Sequence, residues 1–195
     1  WTHYVNGWDR SIEQARLPLD REKAKRLLAE AGYPNGFDLT LDCPVGAYDE
    51  VCVAIAPMLA QVGIQLKVNT LPPGQMFPRI ARGETSFYGL SWGVPTYDAM
   101  YTLRGIMMSR AKVGGSSWNG GGYSNAEFDA LVEKAQVEPD PEKRRGMIRD
   151  AHRMHNAEVG HLVLYHMMIP WAMSSKVSAP HRADNQLEVR YVTVD

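Results

Sequence analysis

The sequence has almost no net charge and lacks any long hydrophobic run. Lysine and arginine number 21 and aspartate and glutamate 22, so the formal charge at pH 7 is −1. A protein that binds nucleic acid through its overall charge needs a clear positive excess, so we predict no nucleic-acid partner. No apolar stretch reaches the roughly 20 residues that a membrane-spanning helix requires. With 195 residues, of which 45% are hydrophobic, the chain can bury one globular core.

Cysteine is also scarce, with only Cys43 and Cys52, and two cysteines do not fix the cellular compartment. The sequence begins at Trp1, without an initiator methionine and without the pattern of a secretory signal. We therefore expect the chain to be a piece of a longer protein.

The first half of the chain has the pattern of an α/β fold. "LDREKAKRLLAEAGYPNG" predicts a helix with Asp20 as its N-cap and Gly32 just beyond its end. "FDLTLDC" and "IQLKVNT" alternate apolar and polar residues, as strands do, and a predicted helix at 48–62 connects them. A crossover of this length indicates parallel strands. After a short helix at 75–82, the apolar run 87–92 predicts a third strand.

The second half predicts helices followed by short strands. The capping box formed by Ser124 and Glu127 predicts one helix start, and Asp140 followed by Pro141 predicts another. We expect strands at 162–165 and 187–194.

One motif suggests an enzyme. Gly89–Gly93 spells G-x-S-x-G, the nucleophile elbow of α/β-hydrolases, with Ser91 at its centre. That elbow turns at once into a helix, whereas Pro95 removes a backbone donor that such a helix needs. We therefore expect the next helix to begin near Thr96 and interpret Ser91 as a residue at a strand end. A serine hydrolase is retained as an alternative function.

Two further patterns suggest ligands. His152 and His155 lie one helical turn apart, but no carboxylate or thiol recurs at ligand spacing, so we predict no metal site and keep a metal-uptake protein as an alternative. The glycine-rich stretch "VGGSSWNGGGYSN" lacks the lysine of a phosphate-binding loop. No cofactor is predicted.

The ends of the predicted parallel strands offer a binding wall. In open α/β sheets, ligands bind beyond the carboxyl ends of the strands. The loops there supply aromatic surfaces, a free carboxylate and a glycine that lets a ligand approach the backbone, and the glycine-rich loop adds two more candidates. The predicted solute-binding residues are Tyr48, Trp92, Gly93, Tyr97, Asp98, Trp118 and Asn119.

Six stretches carry a resemblance by their combination and order. They are "LDREKAKRLLAEAGYPNGFDLTLDCP", "MLAQVGIQLKVNTLPPGQMF", "FYGLSWGVPTYDAMYTL", "YSNAEFDALVEKA", "DPEKRRGMIRDAHRMHNAEV" and "VLYHMMIPWAM". Together they resemble the extracytoplasmic solute-binding proteins of ABC importers, family 5, the dipeptide, oligopeptide and nickel cluster. The similarity runs from about Pro18 to the end of the chain.

The resemblance implies the C-terminal lobe of a two-lobed, non-enzymatic binding protein that traps a solute and delivers it to a membrane permease. It implies a type II periplasmic-binding-protein fold, with a β-α-β-α-β mixed sheet flanked by helices, and a periplasmic or outer-face location. Residues 1–168 would form the lobe, and 169–195 would return to pack on a first lobe that this chain lacks.

The resemblance also bears on the solute and on the cysteines. Peptide-binding members carry an aspartate three residues after the tryptophan that matches Trp92, and this chain has Pro95 there. A peptide is therefore only one candidate, beside sugars, nickel complexes and other solutes. In an oxidising compartment Cys43, at a strand end, could bridge Cys52 in the next helix, or both could be buried thiols.

Overall fold

The computed structural model describes residues 2–15, 17–46, 48–110, 116–167, 169–182 and 184–195. Two parallel strands and a group of helices form its two hydrophobic clusters. Within the described residues, no helix combines the length and the apolar character needed to cross a bilayer. The helices are α1 (Arg10–Gln14), α2 (Arg21–Glu30), α3 (Asp49–Ala60), α4 (Pro73–Arg82), α5 (Met100–Thr102), α6 (Ala126–Val137) and α7 (Pro141–Ala157).

The predicted strand–helix–strand unit is confirmed. Strand β1 (Phe37–Pro44) pairs in parallel with β2 (Ile64–Leu71), and α3 forms the crossover between them. The alternation of faces breaks at Asp42, which the pattern places on the polar side but which is buried. Two partners offset the cost of burying this carboxylate. The side-chain amide of Asn69 donates to it at 2.6 Å, and the guanidinium of Arg79 lies 3.4 Å away.

The predicted third strand is reduced to one parallel bridge between Asp42 and Tyr88. Two backbone hydrogen bonds hold it, from Asp42 N to the carbonyl of Phe87 and from Gly89 N to the carbonyl of Asp42. The strand pairing does not continue, because the next backbone carbonyl is already bound by a side chain. The Tyr48 hydroxyl donates to the Gly89 carbonyl at 3.1 Å. Beyond Gly89 the backbone therefore leaves the sheet and runs as a loop through residues 90–94.

Residues 43 and 52 form a disulfide, which joins the end of β1 to the first turn of α3 with a Cα–Cα distance of 6.5 Å. The bridged form is thus the correct one of the two alternatives. Gly89 packs against both sulfur atoms, since a Cβ built there would lie 3.3 and 3.6 Å from them.

Helix caps follow the sequence in two cases and depart from it in a third. Asp20 accepts the Lys23 N–H and Asp140 caps α7, as predicted. The capping box at Ser124 is wrong: Asn125 caps α6 by accepting two backbone N–H groups. The Ser124 hydroxyl is instead paired with the Ser109 hydroxyl, so it is not available to the helix.

The larger core lies among α5, α6 and α7. Helix α5 begins at Met100 rather than near Thr96, after a turn in which Tyr97 has φ of 53°. It continues into a π-helical segment, Leu103–Met107. The buried residues of this core are Val5, Ala99, Met100, Leu103, Ile106, Met107, Met108, Phe128, Val132, Ala135, Ile148 and Ala151.

The two strands predicted near the C-terminus are wrong, because one is absent from the described residues and the other is only two residues long. Residues 162–165 are irregular, and 187–194 contains a 3-10 turn, Val189–Tyr191, before a two-residue strand. That strand, β4 (Thr193–Val194), pairs antiparallel with β3 (Val177–Ser178). The apolar side chains of both stretches are largely exposed, so within the described residues they have no sheet to complete.

Candidate functional site: an aromatic groove beside Trp92

An open groove of about 570 Å³ lies where the loop at 92–98 meets α5, the π-helical segment and the first turn of α7. We call it the Trp92 groove. Ten residues line it: Trp92, Thr96, Asp98, Met100, Tyr101, Arg104, Gly105, Ser117, Trp118 and Arg144.

Three aromatic rings form one side of the Trp92 groove. Trp92 lies 5.3 Å from Tyr101 and 6.4 Å from Trp118, measured between ring centroids. The Trp92 ring packs against the backbone at Gly105, where a Cβ would come within 2.5 Å of it. Trp118 is held from behind by an edge-to-face contact with Phe77. The rings are inclined to one another, by 31° for Trp92 and Tyr101 and 61° for Trp92 and Trp118, and together they present an apolar surface that is supported on its protein side.

Asp98 is not the free carboxylate that the sequence predicted. Both of its oxygens are bound by the Arg144 guanidinium, at 2.7 and 2.8 Å, and it also accepts from the Asn6 side chain and the Met100 N–H. Partial burial acts to raise the pKa of Asp98, but the hydrogen bonds from Arg144, Met100 and Asn6 outweigh burial and lower that pKa. Asp98 is therefore an ionised residue whose charge is neutralised within the protein.

Two other predicted residues lie next to the Trp92 groove rather than in its wall. Gly93 is exposed, with open space where a Cβ would be. Tyr97 is also exposed, and its carbonyl accepts the Asn6 N–H, so the N-terminal segment holds the loop in place.

Two predicted residues serve the structure behind the site. Tyr48 packs against the disulfide cluster and binds the Gly89 carbonyl, and burial raises its pKa. Asn119 is 1% exposed, and its side chain binds the carbonyls of Met108 and Tyr123 and the N–H of Tyr123. Its amide is used within the protein, so it shapes the loop that carries Trp118.

Seven of the ten residues that line the Trp92 groove were not predicted from the sequence: Thr96, Met100, Tyr101, Arg104, Gly105, Ser117 and Arg144. A spacing signal could have found three of these residues. Arg104 follows Tyr101 by three residues and Gly105 follows it by four, which is the spacing of one helical face. Arg144 gave no signal, because its partner Asp98 lies 46 residues away along the chain. Only the fold brings that pair together.

Ser91 lies in the loop and has no helix after it. Its exposed hydroxyl donates to the sulfur of Met167 at 3.5 Å. This is the geometry of a loop residue rather than of a serine at the apex of a strand-to-helix turn.

None of the histidines, all of which the structure describes, lines the Trp92 groove, and two of them, His155 and His161, pair at the end of α7. His155 is 1% exposed, and its ring nitrogen lies 3.0 Å from that of His161. Burial lowers the pKa of His152 to about 4 and that of His155 to about 3, so both rings are neutral at pH 7. In the part of the chain that the structure describes, no group of three or more potential metal ligands comes together.

Comparison with known families gives a match over more than half of the chain. The sequence profile of the bacterial extracellular solute-binding proteins, family 5 Middle, matches residues 1–112, a range that includes the Trp92 loop and Arg104. The chain belongs to this family.

Individual family members are similar over most of the chain. Glutathione-binding protein GsiB of Pectobacterium atrosepticum is 29% identical over 154 residues, which are 75% of this chain and 30% of that protein. Heme-binding protein A of Haemophilus influenzae is 29% identical over 170 residues, 84% of this chain and 29% of that protein. The chain thus spans less than a third of the length of these curated relatives.

The structural comparison confirms the predicted α/β fold of type II periplasmic binding proteins. The periplasmic binding protein DppA from Helicobacter pylori, solved with a peptide, superposes with a TM-score of 0.74 at 23% identity. The superposition covers 97% of this chain and 38% of that one.

Proposed function

We propose that this chain is one lobe of the substrate-binding component of a bacterial ABC importer, and that the Trp92 groove contacts the solute. One observation carries the proposal: a member of a solute-binding family has a supported surface of three aromatic rings in an open groove of about 570 Å³. Aromatic rings with a few polar groups are typical of small-molecule sites. The solute would be peptide-like or another small polar compound.

The open shape of the Trp92 groove supports the proposal that a second lobe completes the binding site. The groove is open to solvent, whereas a bound small molecule is normally buried over most of its surface. The chain also spans less than a third of its relatives, so the full-length protein would supply the other wall. The complete protein would then deliver its solute to a membrane permease, from the periplasm or the outer face of the membrane.

The C-terminal part has a surface suited to that first lobe. We propose that residues 169–195 return to pack on it. Exposed apolar side chains support this, and they begin before the proposed boundary. They include Leu162, Val163, Leu164, Tyr165, Ile169, Met173, Leu187, Val189 and Tyr191, each at least 42% exposed.

We further propose that the chain has no catalytic role. Ser91 contacts a methionine sulfur, and activation of a serine nucleophile needs a base within hydrogen-bond reach. A fluorophosphonate label should therefore leave Ser91 unmodified. Stoichiometric labelling that the change Ser91→Ala abolishes would support the hydrolase instead.

The main test is native mass spectrometry of the full-length protein purified under mild conditions. The proposal predicts a retained small molecule that denaturation releases. The 195-residue chain, prepared in parallel, should retain much less of it. Absence of any retained molecule, together with no response to a broad panel of added peptides and small acids, would contradict the proposal.

A further inference from the structure

The Trp92 groove has three charged side chains, and two of them neutralise each other. Asp98 and Arg144 form a two-pronged ion pair, with only 27% and 21% of their side chains exposed. Paired guanidinium and carboxylate groups of this geometry hold each other firmly. Neither is therefore available to a solute without loss of the pair.

Arg104 carries the third charge, and no described residue forms an ion pair with it. It is exposed and makes no ion pair or side-chain hydrogen bond with any described residue. It lies one helical turn from Tyr101 and next to Gly105, on which the Trp92 ring rests. An unpaired guanidinium therefore stands at the edge of the aromatic surface.

The other lining groups do not offset this charge. Thr96 and Ser117 are neutral hydroxyl residues, and the remaining lining residues are apolar or aromatic. The Trp92 groove thus has a net charge of one positive unit. A single guanidinium matches a single carboxylate in both charge and planar geometry.

We infer that the Trp92 groove selects a carboxylate-bearing solute, with Arg104 pairing with the carboxylate while a flat or apolar part packs on Trp92 and Trp118. This inference rests on the proposed function and specifies its substrate class. It also accounts for Asp98, whose charge is taken up by Arg144 and offers nothing to an ammonium group. The solute class is therefore acidic rather than cationic.

Three probes of similar shape test the inference on the 195-residue chain: naphthalene-2-acetate, its neutral amide, and 2-(naphthalen-2-yl)ethylammonium. Binding is followed by the shifts of the tryptophan indole signals in NMR spectra, which report weak binding site by site. The acid should bind about two- to fivefold more tightly than the amide, the range for an exposed ion pair, and the ammonium least tightly. The acid's advantage should shrink in 0.5 M salt.

The variant Arg104→Gln should abolish the preference for the acid while leaving binding of the amide unchanged. Arg26→Gln is the matched control, because Arg26 is an exposed arginine on α2, outside the Trp92 groove. It should keep the full preference. A preference that survives Arg104→Gln, or that is lost in Arg26→Gln, would overturn the inference.

The possible failures separate this inference from the proposed function. Equal binding of acid and amide at Trp92 and Trp118 would refute the acidic substrate class and leave a solute-binding groove. Tighter binding of the ammonium would also refute it. If no probe shifts either tryptophan signal, the carboxylate subsite is refuted, and the proposed function is then decided by mass spectrometry of the full-length protein.

Discussion

Gly105 leaves the space that the Trp92 ring occupies. Because the side chain is absent there, the indole lies on the backbone of the π-helical segment and faces Tyr101 and Trp118. The position of the central aromatic residue thus depends on a glycine thirteen residues further along the chain.

Gly105→Ala should destabilise the protein and displace the Trp92 ring. The new methyl group would lie 2.5 Å from the ring, and overpacking of this kind costs about 1–3 kcal/mol. The free energy of unfolding in denaturant and the Trp92 indole signal report the two effects.

Gly146→Ala is the matched control, in the middle of α7. A Cβ there meets nothing closer than 4.0 Å, so alanine should stabilise the helix by about 0.5–1 kcal/mol. If both substitutions stabilise the protein equally, the packing of Trp92 on Gly105 is not as described.

For single residues, the sequence predicted some of the side chains that line the Trp92 groove, but it did not predict which polar side chains are bound within the protein. Trp92 and Trp118 were predicted from loop position and do line the Trp92 groove. Asp98 and Asn119 were predicted as polar contacts, yet their hydrogen bonds are made within the protein. Such partners cannot be seen in a sequence because tertiary folding, not local spacing, brings them together.

The disulfide joins two elements, β1 and α3, at the end of the sheet nearest the loop of Ser91 and Trp92. Replacing both cysteines with serine should lower the free energy of unfolding by roughly 2–3 kcal/mol, from the loss of a short closed loop of sequence separation 9. Denaturant unfolding of the variant and the wild type measures the difference. Two free thiols per chain, titrated in non-reducing denaturant, would contradict the bridge.

The pair His155–His161 ties the end of α7 to the segment that follows it. Their folded-state pKa values are lowered by burial, with that of His155 at about 3, so these rings bind protons mainly in the unfolded state. The contribution of the two neutral rings to the free energy of unfolding is fully present above pH 6.5, and it is lost as the pH falls from there towards 3. Stability should therefore decrease between pH 6.5 and 5, where carboxylates are still ionised.

His155→Phe should flatten that decrease, since it removes the most strongly shifted of these groups. His166→Gln changes an exposed histidine nearby and should alter stability by less than about 0.5 kcal/mol. Unfolding free energies measured at several pH values make the comparison. An unchanged pH slope in His155→Phe would show that His155 is not buried as a neutral ring.

Elements were predictable where local signals agree with each other. The parallel pair β1–β2 and the caps Asp20 and Asp140 follow from alternation and capping residues. The third strand and the two C-terminal strands were overestimated, because apolar runs form strands only where a neighbouring backbone is free to pair. At residue 89 a tyrosine hydroxyl takes the carbonyl that pairing would need.

For the whole molecule, the least anchored region of the described chain should be its C-terminal part. Residues 187–194 have only a 3-10 turn and one two-residue strand, and several of their apolar side chains are exposed. Their amide hydrogens should exchange much faster than those of β1 and β2 in the isolated chain. In the full-length protein that difference should shrink, since the first lobe would cover the segment. Uniformly slow exchange in the monomeric chain would contradict this proposal.

The central claim is that the Trp92 groove binds the solute, and calorimetry on the full-length protein tests it most directly. The solute released from the purified protein is titrated into Trp92→Ala and Trp8→Ala; Trp8 is a half-buried tryptophan outside the Trp92 groove. Loss of a ring that packs on the solute should weaken binding roughly 5- to 150-fold. The account predicts that loss in Trp92→Ala and near wild-type affinity in Trp8→Ala. Wild-type affinity in Trp92→Ala, with the protein folded, would contradict it.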